Sequence, residues 1–141
     1  MSTALTTEDR ALIECARAII RQRYRKRWHV VGAALRTRRG LVFTGVHLEA
    51  NVGRIAVCAE AVALGRAATE AGDTEIDTIV AVYHPEPGAA DQAIRIVPLC
   101  GMCREMISDY SPHARVIMPG NGDGALALPI EALIPQKFVR P

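Results

Sequence analysis

Near the start of the chain apolar residues recur at helical spacing. Leu12, Ala16, Ile19 and Ile20 fall on one stripe of a helix. Thr6 and Thr7 precede it as capping residues, and Glu8 and Asp9 are placed favourably against its dipole. Cys15 lies next to the stripe and reads as a small core hydrophobe. The period then changes. Residues 29–35 and 41–46 are short apolar runs of strand type, and the polar stretch 36–40 between them ends in Gly40, as a hairpin turn would. Residues 55–70, rich in Ala, Val and Leu, predict a buried helix closed by Gly72. Residues 76–83 carry the β-branched pattern of a strand, and 84–91, with two Pro and a Gly, read as a loop. Residues 100–110 look helical and stop before Pro112. A short strand at 115–118, a sharp turn at 119–124, a strand at 126–128 and a short helix at 130–134 complete the chain. Strands alternating with helices imply an α/β layer structure around one sheet. No internal repeat or linker is visible, so residues 1–141 are expected to form a single domain.

Composition narrows the class. Half of the 141 residues are apolar, 23% are charged and the net charge is +2, which suits a packed domain and excludes a disordered chain. The 11 Gly and 8 Pro follow no period, so a collagen-like chain is excluded too. No apolar run approaches the ~20 residues needed to cross a bilayer. The stretch Met1-Ser2-Thr3-Ala4 lacks the features of a signal peptide, and a reducing cytoplasm is the expected compartment. The charge itself is local. Residues 21–27 hold five cations, and without them the rest of the chain carries −3. A solvated helix end accounts for such a cluster, and steering of anionic ligands or weak RNA contact is the alternative. With six aromatics in the whole chain, a nucleic-acid domain is not expected.

In a reducing compartment four cysteines call for an explanation other than disulfides. Cys58-Ala59-Glu60 opens the second predicted helix, and Cys100-Gly101-Met102-Cys103 opens the third. A Cys-x-x-Cys pair puts two sulfurs on one turn, and Cys58 offers a third. Three protein ligands with an open fourth position is the pattern of a catalytic zinc, whereas structural sites are closed by a fourth residue. Helix N-termini favour thiolate over thiol. Glu60 stands on the same first turn as Cys58 without being needed as a ligand, so its carboxylate is free to take a proton from water and pass it on. Two rival readings are a redox pair and a structural zinc. The first gives no reason for Glu60. The second lacks a fourth ligand, since His47, His84 and His113 have no ligand-like spacing to either cluster.

Cys-Ala-Glu followed about forty residues later by Cys-x-x-Cys-Arg resembles the zinc signature of the cytidine deaminase superfamily in its three-cysteine form. Val31-Gly32-Ala33-Ala34-Leu35 and Phe43-Thr44-Gly45-Val46 look like the strands ahead of the zinc helix in small cytidine deaminases, and residues 58–65 look slightly more like the blasticidin-S deaminase type. The similarity covers roughly residues 30–138. It implies a three-layer α/β/α sandwich with a mixed sheet of about five strands. It also implies one zinc per chain held by Cys58, Cys100 and Cys103, with Glu60 as proton shuttle for hydrolytic loss of ammonia from a pyrimidine ring. Phe43 and Ala59 would border the pocket.

The substrate positions depart from the pattern. His47 stands where cytidine deaminases carry an Asn that holds ribose; Glu49 is kept, while Ala50 replaces a further Asn. Imidazole still donates or accepts a hydrogen bond, and half-exposed surface is the alternative role for His47. Leu99 replaces a Pro, although Pro98 is adjacent. Ala61 replaces an Arg that tempers thiolate charge, and Arg104 is a partial substitute for it. The C-terminal stretch with Phe138 looks like the family's ending, where an aromatic caps a neighbouring subunit's pocket; plain packing is the other reading. The resemblance thus implies a homotetramer acting on a small nucleoside-like molecule. The expected activity is deamination of a cytosine nucleoside. The alternatives are deamination of blasticidin S or another amino-heterocycle, and a non-catalytic zinc scaffold that binds a nucleoside or RNA.

Overall fold

Thr6 starts the first helix as the sequence suggests. In the computed structural model, which describes residues 3–122 and 124–141, its hydroxyl accepts from the Asp9 backbone N–H at 3.1 Å while the Asp9 carboxylate accepts from the Thr6 N–H at 3.0 Å. This reciprocal capping box opens α1 (Thr7–Arg23). Met1 and Ser2 of the N-terminal stretch and Asp123 of the 119–124 turn lie outside the described residues. The helix stops at Arg23 rather than running through the basic cluster. Arg25 and His29 pair as an isolated bridge, and Arg27 turns with φ 64°. That turn also delays the first strand, β1, to Val31–Thr37.

β1 forms a hairpin with β2 (Val42–Val46), and then β3 (Ile76–Tyr83) pairs along the other edge of β1. The remaining elements are α2 (Ala59–Arg66), β4 (Arg95–Val97), α3 (Gly101–Tyr110), β5 (Arg115–Pro119) and β6 (Ala125–Pro129). Six strands form one mixed sheet among the described residues, with order β2-β1-β3-β5-β6 and β4 set beside β3. The β3–β5 pair is parallel and the others antiparallel. β4 is absent from the sequence reading, because three residues are too few to show a period of two. It shares an edge of β3 with β5: β5 pairs with Thr78 and Ile79, and β4 with Ala81 to Tyr83.

The strands are apolar on both faces, as a sheet covered on both sides requires. Leu35, Ile79, Ala81 and Val116 face Ala63, Leu64, Cys103 and Ile107 of α2 and α3. Ala34, Val80, Val82 and Ile117 face Leu12, Ile13, Ala16 and Ile20 of α1, with Cys15 half-buried beside them. This is the expected three-layer α/β/α arrangement. Each fully buried Leu or Ile contributes about 1.5–3 kcal/mol relative to exposure.

The second predicted helix begins four residues late. Gly53–Ile55 make a single 3-10 turn, and the backbone of Val57 exchanges two hydrogen bonds of 2.9 Å with Leu48 before α2 begins. The end of that helix widens into a π turn at Ala67–Ala71 and closes on Gly72 at φ 60°. Two charged residues on α1 and β5 are tied through the sheet. Asp9, fully buried, receives Arg36 at 3.1 Å and Arg115 through both of its oxygens at 3.0 and 2.8 Å. Arg36 also reaches Asp77 at 2.8 Å.

Candidate active site

The site begins with a glycine. A Cβ on Gly45 in β2 would lie 2.7 Å from both the Ala59 carbonyl oxygen and the Ala63 nitrogen, so α2 can approach β2 this closely only over a residue without a side chain. The contact fixes the first turn of α2 against the sheet. Cys58 is the N-cap of α2 and Cys100 the N-cap of α3, both in extended conformation, and neither sulfur is used up in capping the backbone. Cys103 follows on the first turn of α3, buried at 2% exposure.

The three Sγ atoms all lie within 4.8 Å of one another, and those of Cys58 and Cys100 are 3.5 Å apart. Zn–S bonds of about 2.3 Å at tetrahedral angles set sulfurs about 3.8 Å apart, so this spacing suits a zinc ion. Among the described residues this is the one group of three His, Cys, Asp or Glu able to hold a metal; His47, His84 and His113 are not in it. A fourth position is therefore left for something other than these side chains. The electrostatics agree with a cation. Burial, then the hydrogen bond with Cys100, pushes the Cys58 thiol up. Burial, then Glu60 and the other two sulfurs, drives Cys103 far above its ordinary value. Burial would raise Cys100 also, but the Cys103 N–H and the neighbouring thiols outweigh it and bring Cys100 down. Burial and mutual repulsion oppose three thiolates side by side, and a divalent cation that accepts sulfur ligands would relieve both.

A cavity of about 210 Å³ opens beside the cysteines. Cys58, Cys100, Ala59, Glu60 and His47 line it, and its remaining wall is apolar. Glu60 is 4% exposed. Burial pushes its carboxyl above the usual carboxylate range, against weaker opposing pulls from its own backbone N–H and the Cys103 thiol. A carboxyl held above the usual carboxylate range beside a metal-binding cluster is suited to taking and giving a proton.

The other expected site residues separate from these. Phe43 is buried in the core beneath α2 and α3, and it does not line the cavity. Glu49 is half-buried outside the lining, its carboxylate accepting from the Ala50 N–H at 2.9 Å. Phe138 is 77% exposed and lies with Val139 against Glu105 and Tyr110 on the outer face of α3. Arg104 points its guanidinium at carbonyl oxygens, Leu99 at 2.9 Å and Leu133 at 3.2 Å, and so braces the turn ahead of Cys100 against the C-terminal segment.

Sequence reasoning missed the apolar wall formed by Val31, Ala81, Val97 and Pro98. These come together only through register: β4 sets Val97 opposite Ala81, and Val31 stands opposite Tyr83, two residues from Ala81. Pro98, two residues before Cys100, is the one whose position near the motif could have signalled it.

Residues 6–118 match the family model described as the cytidine and deoxycytidylate deaminase zinc-binding region. The match starts ahead of the stretch in which the motifs were read and takes in α1. The chain is 46% identical to blasticidin-S deaminase of Bacillus cereus over 136 residues, 96% of each protein. It is 32% identical to cytidine deaminase of Halalkalibacterium halodurans over 109 residues, 77% of this chain and 76% of the relative. Among solved structures, the cytidine deaminase of Burkholderia pseudomallei superposes with TM-score 0.72 at 27% identity, covering 95% of this chain and all of the other. With its helix-capping cysteines, its buried glutamate and these relatives, the chain belongs to the cytidine and deoxycytidylate deaminase family of zinc hydrolases.

Proposed function

We propose that the chain is one catalytic domain that removes the amino group of a cytosine nucleoside or nucleoside-like compound hydrolytically, giving the uracil form and ammonia. The observation that carries this reading is the burial of Glu60 in the same cavity that Cys58 and Cys100 line. Cys58, Cys100 and Cys103 hold one zinc per chain, which when bound supplies the Lewis acidity that makes water nucleophilic at neutral pH. Glu60 accepts a proton from the attacking water and delivers it to the ring nitrogen. It then accepts the second proton of that water and gives it to the departing amine, so that ammonia leaves and the carbonyl is left behind. Ala59 and the apolar wall exclude bulk water from the ring, and His47 faces the rest of the substrate.

Deamination of blasticidin S is a second reading. It is favoured by the 46% identity, over nearly the whole of both chains, to a protein of that name, and by His47 in place of an amide. An ammonia-release screen over cytidine, deoxycytidine, cytosine, blasticidin S and amino-purines separates the readings; activity on purines alone contradicts both. We also propose that the chain assembles as a homotetramer in which exposed Phe138 is covered by a second copy. Sedimentation would then show a tetramer that Phe138→Ser weakens, and a stable monomer would contradict it.

A further inference from the structure

The polar side chains of the cavity are unequal. Glu60 and the cysteines present electron-rich atoms, and no Lys or Arg is among the lining residues. His47 is the remaining polar side chain, and its ring is held from behind. The backbone N–H of Val30 reaches its Nδ1 at 3.0 Å and that of Val31 at 3.3 Å. A nitrogen that accepts from two amides cannot carry a proton, and the ring turned over would set a C–H against both of them. The imidazole is therefore neutral with its proton on Nε2. His29 secures the arrangement from the other side. Its Nδ1 lies 2.9 Å from the His47 carbonyl oxygen, which can only accept, so His29 donates there. Burial disfavours the charged form of the His47 ring and holds its pKa below the ordinary value, with Glu49 pulling up and His29 pulling down.

We propose that His47 is the specificity-determining residue of this cavity, a donor locked by the start of β1, which selects substrates that place a hydrogen-bond acceptor against Nε2–H and rejects those that place a donor there. An amide at this position would turn either its oxygen or its nitrogen to the ligand and tolerate both. The locked imidazole has no lone pair left to offer, so an ammonium group, which has none either, stays unmatched in that place inside an apolar wall. The preferred substrate class follows: nucleoside-like compounds whose sugar or sugar-like ring carries a hydroxyl or ether oxygen there. A phosphate gains one neutral hydrogen bond and no cation, and is a poor ligand. The inference rests on the deaminase reading of the cavity.

The test compares cytidine with its 2′- and 3′-amino analogues, assayed below the pKa of the amine so that the group is an ammonium donor without a lone pair, and with its O-methyl analogues, alongside blasticidin S and cytidine monophosphate. The protein should discriminate against one amino analogue by at least tenfold in kcat/KM, chiefly through KM, while accepting the O-methyl ether at the same position. His47→Asn should reduce that discrimination to less than threefold, and His47→Gln provides the same comparison should the first variant fold poorly. Equal use of amino and O-methyl analogues by the unaltered protein, or discrimination unchanged in the variants, would overturn the proposal. So would efficient use of the monophosphate. Two-bond 1H–15N correlation spectra read the tautomer independently of turnover: protonated Nε2 and bare Nδ1 are expected, and a proton on Nδ1 at neutral pH overturns the proposal. If none of the compounds is deaminated, the deaminase reading falls while the spectra still decide the state of His47.

Discussion

Two groups of buried ionisable residues sit at opposite ends of the sheet, and they are built on opposite plans. At one end Asp9 has both oxygens engaged by Arg115, Arg36 and the Thr6 N–H, and Asp77 completes the balance of two anions against two cations. At the other end Cys58, Cys103 and Glu60 are all buried or half-buried with their acids pushed up, and no Lys or Arg faces them from the cavity lining. A buried charge without a partner is costly, so the first group is a closed bolt and the second an arrangement that waits for something from outside the chain. The bolt fastens α1 to β1 and β5; the open cluster takes a metal and a substrate.

The two plans should fail differently. The largest effect is expected for Glu60→Gln, which removes the proton carrier and leaves the sulfurs in place. Its rate of ammonia release should fall by about 10²–10⁴-fold with zinc content and thermal midpoint nearly unchanged; full activity would remove Glu60 from the mechanism. Asp9→Asn attacks the bolt instead. It leaves Arg115 without its ion-pair partner and Arg36 with Asp77 alone and should cost about 3–5 kcal/mol of stability, read by chemical denaturation, while kcat below the transition stays close to that of the unaltered protein.

The bolt also sets an acid limit. Ion pairing outweighs burial and holds the Asp9 carboxyl well below the usual carboxylate range. A group depressed on folding stabilises fully above its unfolded value, about 3.9, and that contribution is lost as pH falls through and below this value. Stability should therefore drop more steeply below about pH 4 in the unaltered protein than in Asp9→Asn; parallel profiles would contradict the role of Asp9.

A smaller effect is expected at Gly45, which couples the sheet to the open cluster. Gly45→Ala forces Ala59 and Ala63 away from β2, at about 1–3 kcal/mol for overpacking. Because Cys58 and Glu60 ride on that turn, kcat should fall along with the melting temperature. The smallest effect is predicted for the basic cluster. Arg21, Arg23, Arg25 and Lys26 are exposed at the end of α1 and in the turn after it, and Arg25 lies over the Trp28 ring at 5.1 Å. Neutralising all four should leave turnover of a free nucleoside nearly unchanged; a large loss would point to a polyanionic substrate.

What the sequence disclosed depended on how far apart the cooperating residues lie. α1, β3 and α3 are legible because capping residues, β-branched runs and a stopping Pro act within a few positions. The zinc cluster is legible because Cys-x-x-Cys has a fixed spacing, and a third Cys opening another helix is a recognisable companion. The start of α2 is misread because 55–57 are apolar like a helix, whereas their backbone pairs with Leu48, which side-chain pattern does not encode. Asp9 reads as a helix-dipole residue, and its two arginines, 27 and 106 positions away, appear only in the fold. The lock on His47 is likewise invisible, since it is made by the backbone of Val30 and Val31. Phe43 and Glu49, read by resemblance as substrate contacts, lie outside the cavity lining. Register and backbone hydrogen bonding carry what the side-chain pattern does not.

The central claim is that the open cluster is completed by a metal that the reaction needs. Elemental analysis of the purified, active protein, with ammonia release measured on the same sample, tests it most directly. About one zinc per chain is predicted, with activity falling in proportion as a chelator removes it. A folded protein that is free of metal and still releases ammonia at the full rate would contradict the account.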